Sequence, residues 1–169
     1  MKRIALFLLA LLMGALTAFS QENSASFSAL KGQKRVAFNI DYSQADIMGM
    51  SEDQFRFYES DWDKDKHEVM ENVLEKTNGE LWKEGVAIGL FKDTQYILEY
   101  RVREINRNGN FFGTLALVKV SEDGSQELIT EKELNPQRAY WDGTKLRKIK
   151  KGAKRLGRTI GLFLSKEMK

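Results

Sequence analysis

Between residues 95 and 120 the hydrophobic period becomes two and the chain turns back on itself, which no all-helical arrangement accommodates. Tyr96, Leu98, Tyr100 and Val102 alternate with Glu99, Arg101 and Arg103, the pattern of a strand with one wet face. Asn108-Gly109-Asn110 supplies residues that tolerate positive φ in a tight turn, and Phe112, Ala116, Val118 and Val120 continue the alternation beyond it. Asp123-Gly124 marks a second turn. Residues 127–134 then read as a third strand of a meander, with Leu128 and Thr130 facing inward.

The segments around this hairpin supply its partners. Residues 34–42 form an opening strand with Val36, Phe38, Ile40 and Tyr42 on one side. Ser51 and Gln54 have capping-box spacing, which predicts a short helix through Phe55 and Tyr58. Asp63 or Asp65 starts the next helix, whose apolar positions Met70, Val73, Leu74 and Leu81 share one face. Pro136 ends the meander, and Asp142 or Thr144 caps a last helix with the stripe Leu146, Ile149, Ala153, Leu156, Ile160, Phe163 and Leu164. Gly152, Gly157 and Gly161 cost about 1 kcal/mol each in a helix relative to Ala, so their presence predicts close approach of that helix backbone to strands. The order predicts a single α+β domain over residues 34–169: one layer of mainly antiparallel strands with helices on one face.

The preceding residues are of a different kind. Lys2 and Arg3 lead an apolar run from Ile4 to Leu12, and Ala18-Phe19-Ser20 has small residues at the outer positions of a cleavage site, so residues 1–20 read as a signal peptide. Residues 21–33 read as a flexible arm. The expected mature protein is periplasmic or extracellular and has no transmembrane span. With no Cys among 169 residues it has neither disulfide nor thiolate chemistry, and no cysteine for lipid attachment.

The formal charge of +3 conceals segregation. Removing residues 1–20 takes away two cations and no anion, leaving 25 against 24. Residues 41–84 hold thirteen acidic and five basic side chains, whereas residues 145–169 hold ten basic and one acidic. On the last helix Lys148, Lys151, Arg155 and Arg158 fall away from the apolar stripe, with Arg147 beside them. Such a face binds an acidic protein, an acidic glycan or anionic lipid headgroups; an exported protein rarely meets nucleic acid. The ordinary alternative is a solvated face that complements the acidic middle helix.

No catalytic set is complete. His67-Glu68-Val69-Met70-Glu71 places Glu71 where a zinc-protease helix needs its second histidine, and the chain has a single His. Asp61, Asp63 and Asp65 alternate as in a calcium loop, but Lys66 and Asn72 occupy the positions for its glycine and glutamate, so an acidic helix start is the simpler reading. Neither a nucleophile elbow nor a phosphate loop is present, and a converging carboxylate pair is the one hydrolytic arrangement the residues leave open. No catalytic, cofactor or metal residue is therefore assigned. Trp62, Trp82, Trp141, Phe111 and Phe112 read mainly as core. Phe111, opposite Phe112 and beside the turn, is the candidate aromatic contact.

The export signal, the opening strand 36–42, the hairpin 96–120 with Asp123-Gly124 after it, and the glycine-bearing helix 146–164 resemble small envelope domains of Gram-negative bacteria. Those include the α/β domain of the curli-secretion lipoprotein and the amino-terminal domain of the TolB protein. The resemblance lies in element order and departs from the lipoproteins in lacking an anchoring Cys. It implies a non-enzymatic, protein-binding or assembly role in the envelope, with another envelope or secreted protein as partner.

Overall fold

A computed structural model of the chain describes residues 26–134 and 142–169. The expected export signal, residues 21–25 of the arm, Pro136 and Trp141 lie outside the described residues. The strands are β1 (Arg35–Asp41), β2 (Asp46–Ile47), β3 (Ala87–Gly89), β4 (Tyr96–Ile105), β5 (Phe111–Val120) and β6 (Gln126–Leu134). The α-helices are α1 (Glu52–Tyr58), α2 (Trp62–Leu81) and α3 (Lys145–Glu167). The fold is α+β, with a six-stranded mixed sheet.

The sheet runs β3-β1-β4-β5-β6, with β2 beside the end of β4. The β4-β5-β6 meander is antiparallel as expected, but β1 pairs parallel with β3 and β4, and β2 pairs parallel with β4. Alternation in β1 shows that one face is buried; it carries no information about the direction of a neighbour brought in from sixty residues away. Across the sheet Phe38 lies beside Leu98 and Leu98 beside Leu117, while Ile40, Tyr100 and Leu115 form the next row. These side chains share one core with Val69 and Val73 of α2 and Ile149, Leu156 and Ile160 of α3. A bulge between Val102 and Glu104 shifts the phase of β4 and returns Ile105 to that core.

The register corrects two strand orientations. Leu115 and Leu117, rather than Ala116 and Val118, stand opposite Tyr100 and Leu98. Leu128 pairs with Val118 on the far face and is 49% exposed, because β6 is itself displaced by an irregularity at Leu117 and Val118. Ala116 is nonetheless fully buried on that far face. Its paired neighbours Glu99 and Glu131 both hold Arg101, at 2.7 and 3.5 Å.

Residues 26–33 are not a loose arm. Phe27–Leu30 forms a 3₁₀ turn that buries Phe27 and Leu30, with Phe27 edge-on to Phe163 of α3 at 5.0 Å. α1 has the expected capping box: Gln54 N–H donates to Ser51 Oγ, and Ser51 N–H to the Gln54 side chain. α2 starts ahead of Asp63 because Trp62 is drawn into the core against Tyr42 and Phe55. Its buried face is Val69, Val73, Thr77 and Leu81, rotated from the apolar stripe so that Met70 and Leu74 are only half-buried.

At the β3 edge the Asn78 side chain acts as a substitute strand. Its amide nitrogen donates to Ile88 O and its oxygen accepts from Ile88 N–H, both at 2.8 Å. Asn78→Ala is expected to destabilise the domain by about 1–1.5 kcal/mol in urea unfolding, since it removes both bonds from a half-buried backbone. An unchanged midpoint would show that this edge does not depend on the cap.

Candidate functional site

α2 and α3 lie side by side and run in the same direction. Asp65 meets Lys150, Thr77 Oγ1 donates to Gly157 O, and Ser165 Oγ donates to Glu84 near the far end. Close approach is possible because α3 presents small residues one turn apart. A Cβ at Gly157 would overlap Val73 O, and one at Gly161 would lie 2.7 Å from Glu80 Cβ and 2.8 Å from Thr77 O. Only Gly152 meets the sheet side of the molecule, at the hairpin turn, where a Cβ would overlap the Gly109 carbonyl. The expected approach to strands is thus mainly an approach to α2.

Above this seam the two helices border a shallow groove of two adjoining open hollows, about 490 and 410 Å³, which share Lys151 and Lys154. The first is lined by Glu68 and Asn72 of α2 and by Thr144, Leu146, Arg147 and Lys150 at the start of α3. The second is lined by Lys76 and Glu80 of α2 and by Arg155 and Arg158. Seven cations therefore face two carboxylates. The α3 lining spans residues 144–158, about 21 Å at 1.5 Å per residue.

Part of the basic charge is used internally. Lys150 Nζ bridges Asp65 and Glu68 at 2.6 Å each, Lys76 holds Glu75 at 2.7 Å, Arg158 holds Glu80 at 3.2 Å, and Lys145 reaches Glu59 at 3.4 Å. The hydrogen bonds that Lys150 Nζ donates to Asp65 and then to Glu68 hold its ammonium above the ordinary lysine range. Asp65 is buried, so this bridge works at lower effective dielectric than an exposed pair.

Of the candidate basic residues, Lys151, Arg155 and Arg158 come together in the groove, whereas Lys148 is not part of its lining and has its backbone against Gly109. Lys151 and Arg155 are half-buried and have interactions of their own. The face is therefore shared with α2, whose Lys76 and Glu80 lie beside it. The spacing signal for the residues that sequence reading passed over was present in two rows: 65, 68, 72, 76 and 80 on α2 match 147, 150, 154 and 158 on α3. Residues three and four apart share a helix face.

Phe111 is not a surface contact. It is fully buried, with its ring 3.3 Å from where a Gly152 Cβ would stand. Trp62 is also buried, Phe112 is half-buried, and Trp82 is 71% exposed with Lys83 above its ring. Two of the three alternating carboxylates are occupied as well: Asp63 pairs with Arg56 and Lys66, and Asp65 with Lys150. His67 is exposed on α2. Among the described residues no group of three or more His, Cys, Asp or Glu side chains is placed to hold a metal, and no helix is long and apolar enough to cross a membrane.

The fold and groove define a two-layer α+β domain with a cationic interhelical cleft. No protein-family model matches the chain, and neither a curated protein nor a solved structure matches it.

Proposed function

We propose that the protein is an exported, non-enzymatic binding module that seats an acidic segment of another envelope or secreted protein in the groove between α2 and α3. The observation that carries this reading is the groove itself, with seven cations to two carboxylates over about 21 Å. An extended peptide rises about 3.3 Å per residue, so the groove takes roughly six residues.

Two further observations support the reading. The exposed edge strand β6 carries Glu127, Glu131, Lys132 and Glu133 and an irregular register, features that discourage strand addition, which leaves the groove as the better docking surface. Within the groove Glu68 and Glu80 are each held by a cation and stand twelve residues apart on one helix, roughly 18 Å. That exceeds the separation over which two carboxylates act on one glycosidic bond, and the closer pair, Asp65 and Glu68, is bridged by the Lys150 ammonium.

Hexaglutamate is expected to bind at about 0.01 M salt and to weaken steeply by about 0.15 M, as the screening length falls from about 30 Å to about 8 Å. Lys154→Gln with Arg158→Gln is expected to weaken binding about tenfold, from about 0.5–1 kcal/mol for each partly exposed charge. Fluorescence anisotropy with a labelled peptide reads both effects. Tighter binding of a uronate oligosaccharide or of anionic vesicles would move the site to glycans or lipid headgroups. Absence of binding to all three would remove the reading.

A further inference from the structure

We infer that the groove selects an acidic segment whose carboxylates stand on alternate residues of an extended chain, with the centre of recognition at Lys76, Lys151, Lys154 and Arg155. This rests on the reading of the groove as a site for an acidic segment and specifies the pattern of that segment. Glu68 and Glu80 stand at the two ends of the α2 wall, and each is held by a cation of α3, Lys150 and Arg158 respectively. Between them the lining contains Lys76 on α2 and Lys151, Lys154 and Arg155 on α3, and no carboxylate. The excess of positive charge is therefore concentrated in the middle of the groove.

One carboxylate of the chain itself already responds to that stretch. Glu75, exposed beside the groove, accepts a hydrogen bond from Lys76 at 2.7 Å. Lys76, and after it Lys154, holds the Glu75 carboxyl below the usual carboxylate range. Cations from both helices thus act on a single acidic side chain at the rim. The spacing along α3 sets the pattern of a ligand. Arg147, Lys151, Lys154 and Arg158 follow one another by four, three and four residues, about 6, 4.5 and 6 Å along the helix axis. An extended chain turns successive side chains to opposite faces, and those on one face recur about every 6.6 Å. Carboxylates on alternate residues therefore keep step with the cationic row, whereas of three consecutive ones at least one is turned away from it.

The test displaces labelled hexaglutamate from the full protein at about 0.01 M salt with either of two end-capped hexapeptides of the same composition, Glu-Ser-Glu-Ser-Glu-Ser and Glu-Glu-Glu-Ser-Ser-Ser. The alternating peptide is expected to compete about threefold more strongly, the effect of one further partly exposed ion pair. Lys154→Gln is expected to remove most of that preference without moving the thermal midpoint, which separates lost recognition from lost folding. Glu75→Gln is expected to tighten the binding of hexaglutamate about twofold, because Lys76 loses its internal partner; damage to the fold would not produce a gain. Equal competition by the two peptides, or stronger competition by the contiguous one, would overturn the alternate pattern and leave the groove reading standing. A preference that survives Lys154→Gln, or an affinity unchanged by Glu75→Gln, would overturn the placement at the centre of the groove. If wild type does not bind hexaglutamate, the groove reading itself fails.

Discussion

Gly152→Ala is expected to lower the thermal midpoint by about 10 °C or more, corresponding to about 3 kcal/mol of lost stability. The added methyl would occupy the position of the Gly109 carbonyl oxygen, and neither backbone is free to withdraw. The turn is held by Gly109 N–H donating to Asn106 O at 2.8 Å, and by Asn108 and Asn110 N–H groups donating to the Asn106 side chain. Gly109 adopts φ 76°, and a Cβ there would itself collide with the Lys148 carbonyl, so the turn and α3 exclude side chains from each other reciprocally. On its other side α3 is fixed by Gly157 against Val73. Gly79→Ala is the matched control. It is also a helical glycine, but a Cβ there meets nothing within 4 Å, so it is expected to stabilise by about 0.5–1 kcal/mol. Thermal unfolding followed by circular dichroism reads both variants. A Gly152→Ala midpoint within a couple of degrees of wild type would sink this account of the junction.

These glycines show where sequence reading succeeded and where it stopped. Their cost in a helix announced that α3 had to approach another backbone, but not which one, since helix propensity contains no information about the partner. The stripe of α3 was legible because Ile149, Ala153, Leu156, Ile160 and Leu164 are apolar and all are buried. The face of α2 was legible only in part, because Asp65, Asn72 and Thr77 are buried polar residues and an apolar pattern passes over them. In β5 the run 115–118 is apolar on both faces, so alternation alone cannot give its phase; pairing with β4 does. Phe111 was misassigned for the same reason. The groove was hidden because charge counts locate basic residues on a helix without showing that an acidic helix lies beside them.

Lys150 separates the structural use of this charge from its use in binding. Lys150→Met is expected to destabilise the domain by about 2–3 kcal/mol, because it leaves the buried Asp65 carboxylate without the ammonium that neutralises it. The lower part of that range applies, since the Lys150 side chain is still 27% exposed. Asp65→Leu with Lys150→Met is expected to recover most of the loss, as apolar replacement of both partners removes the desolvation cost together with the attraction. The pH dependence has a defined sign. The folded state holds the Lys150 ammonium above its ordinary value of 10.5, so its contribution is complete below that pH and declines as pH rises through the higher folded value. The stability difference between wild type and Lys150→Met is therefore expected to stay constant from neutral pH to about pH 10 and to narrow beyond it. Urea unfolding across that range provides the measurement, and a difference that widened with alkalinity would reject the ion-pair account. By contrast Lys154, exposed in the same groove, is expected to change peptide affinity with little change in stability. A variant pair with those opposite responses would establish that the basic run of α3 serves two ends: Lys150 neutralises α2 and holds the helices together, and Lys154, one turn on, contributes to the groove's excess of positive charge.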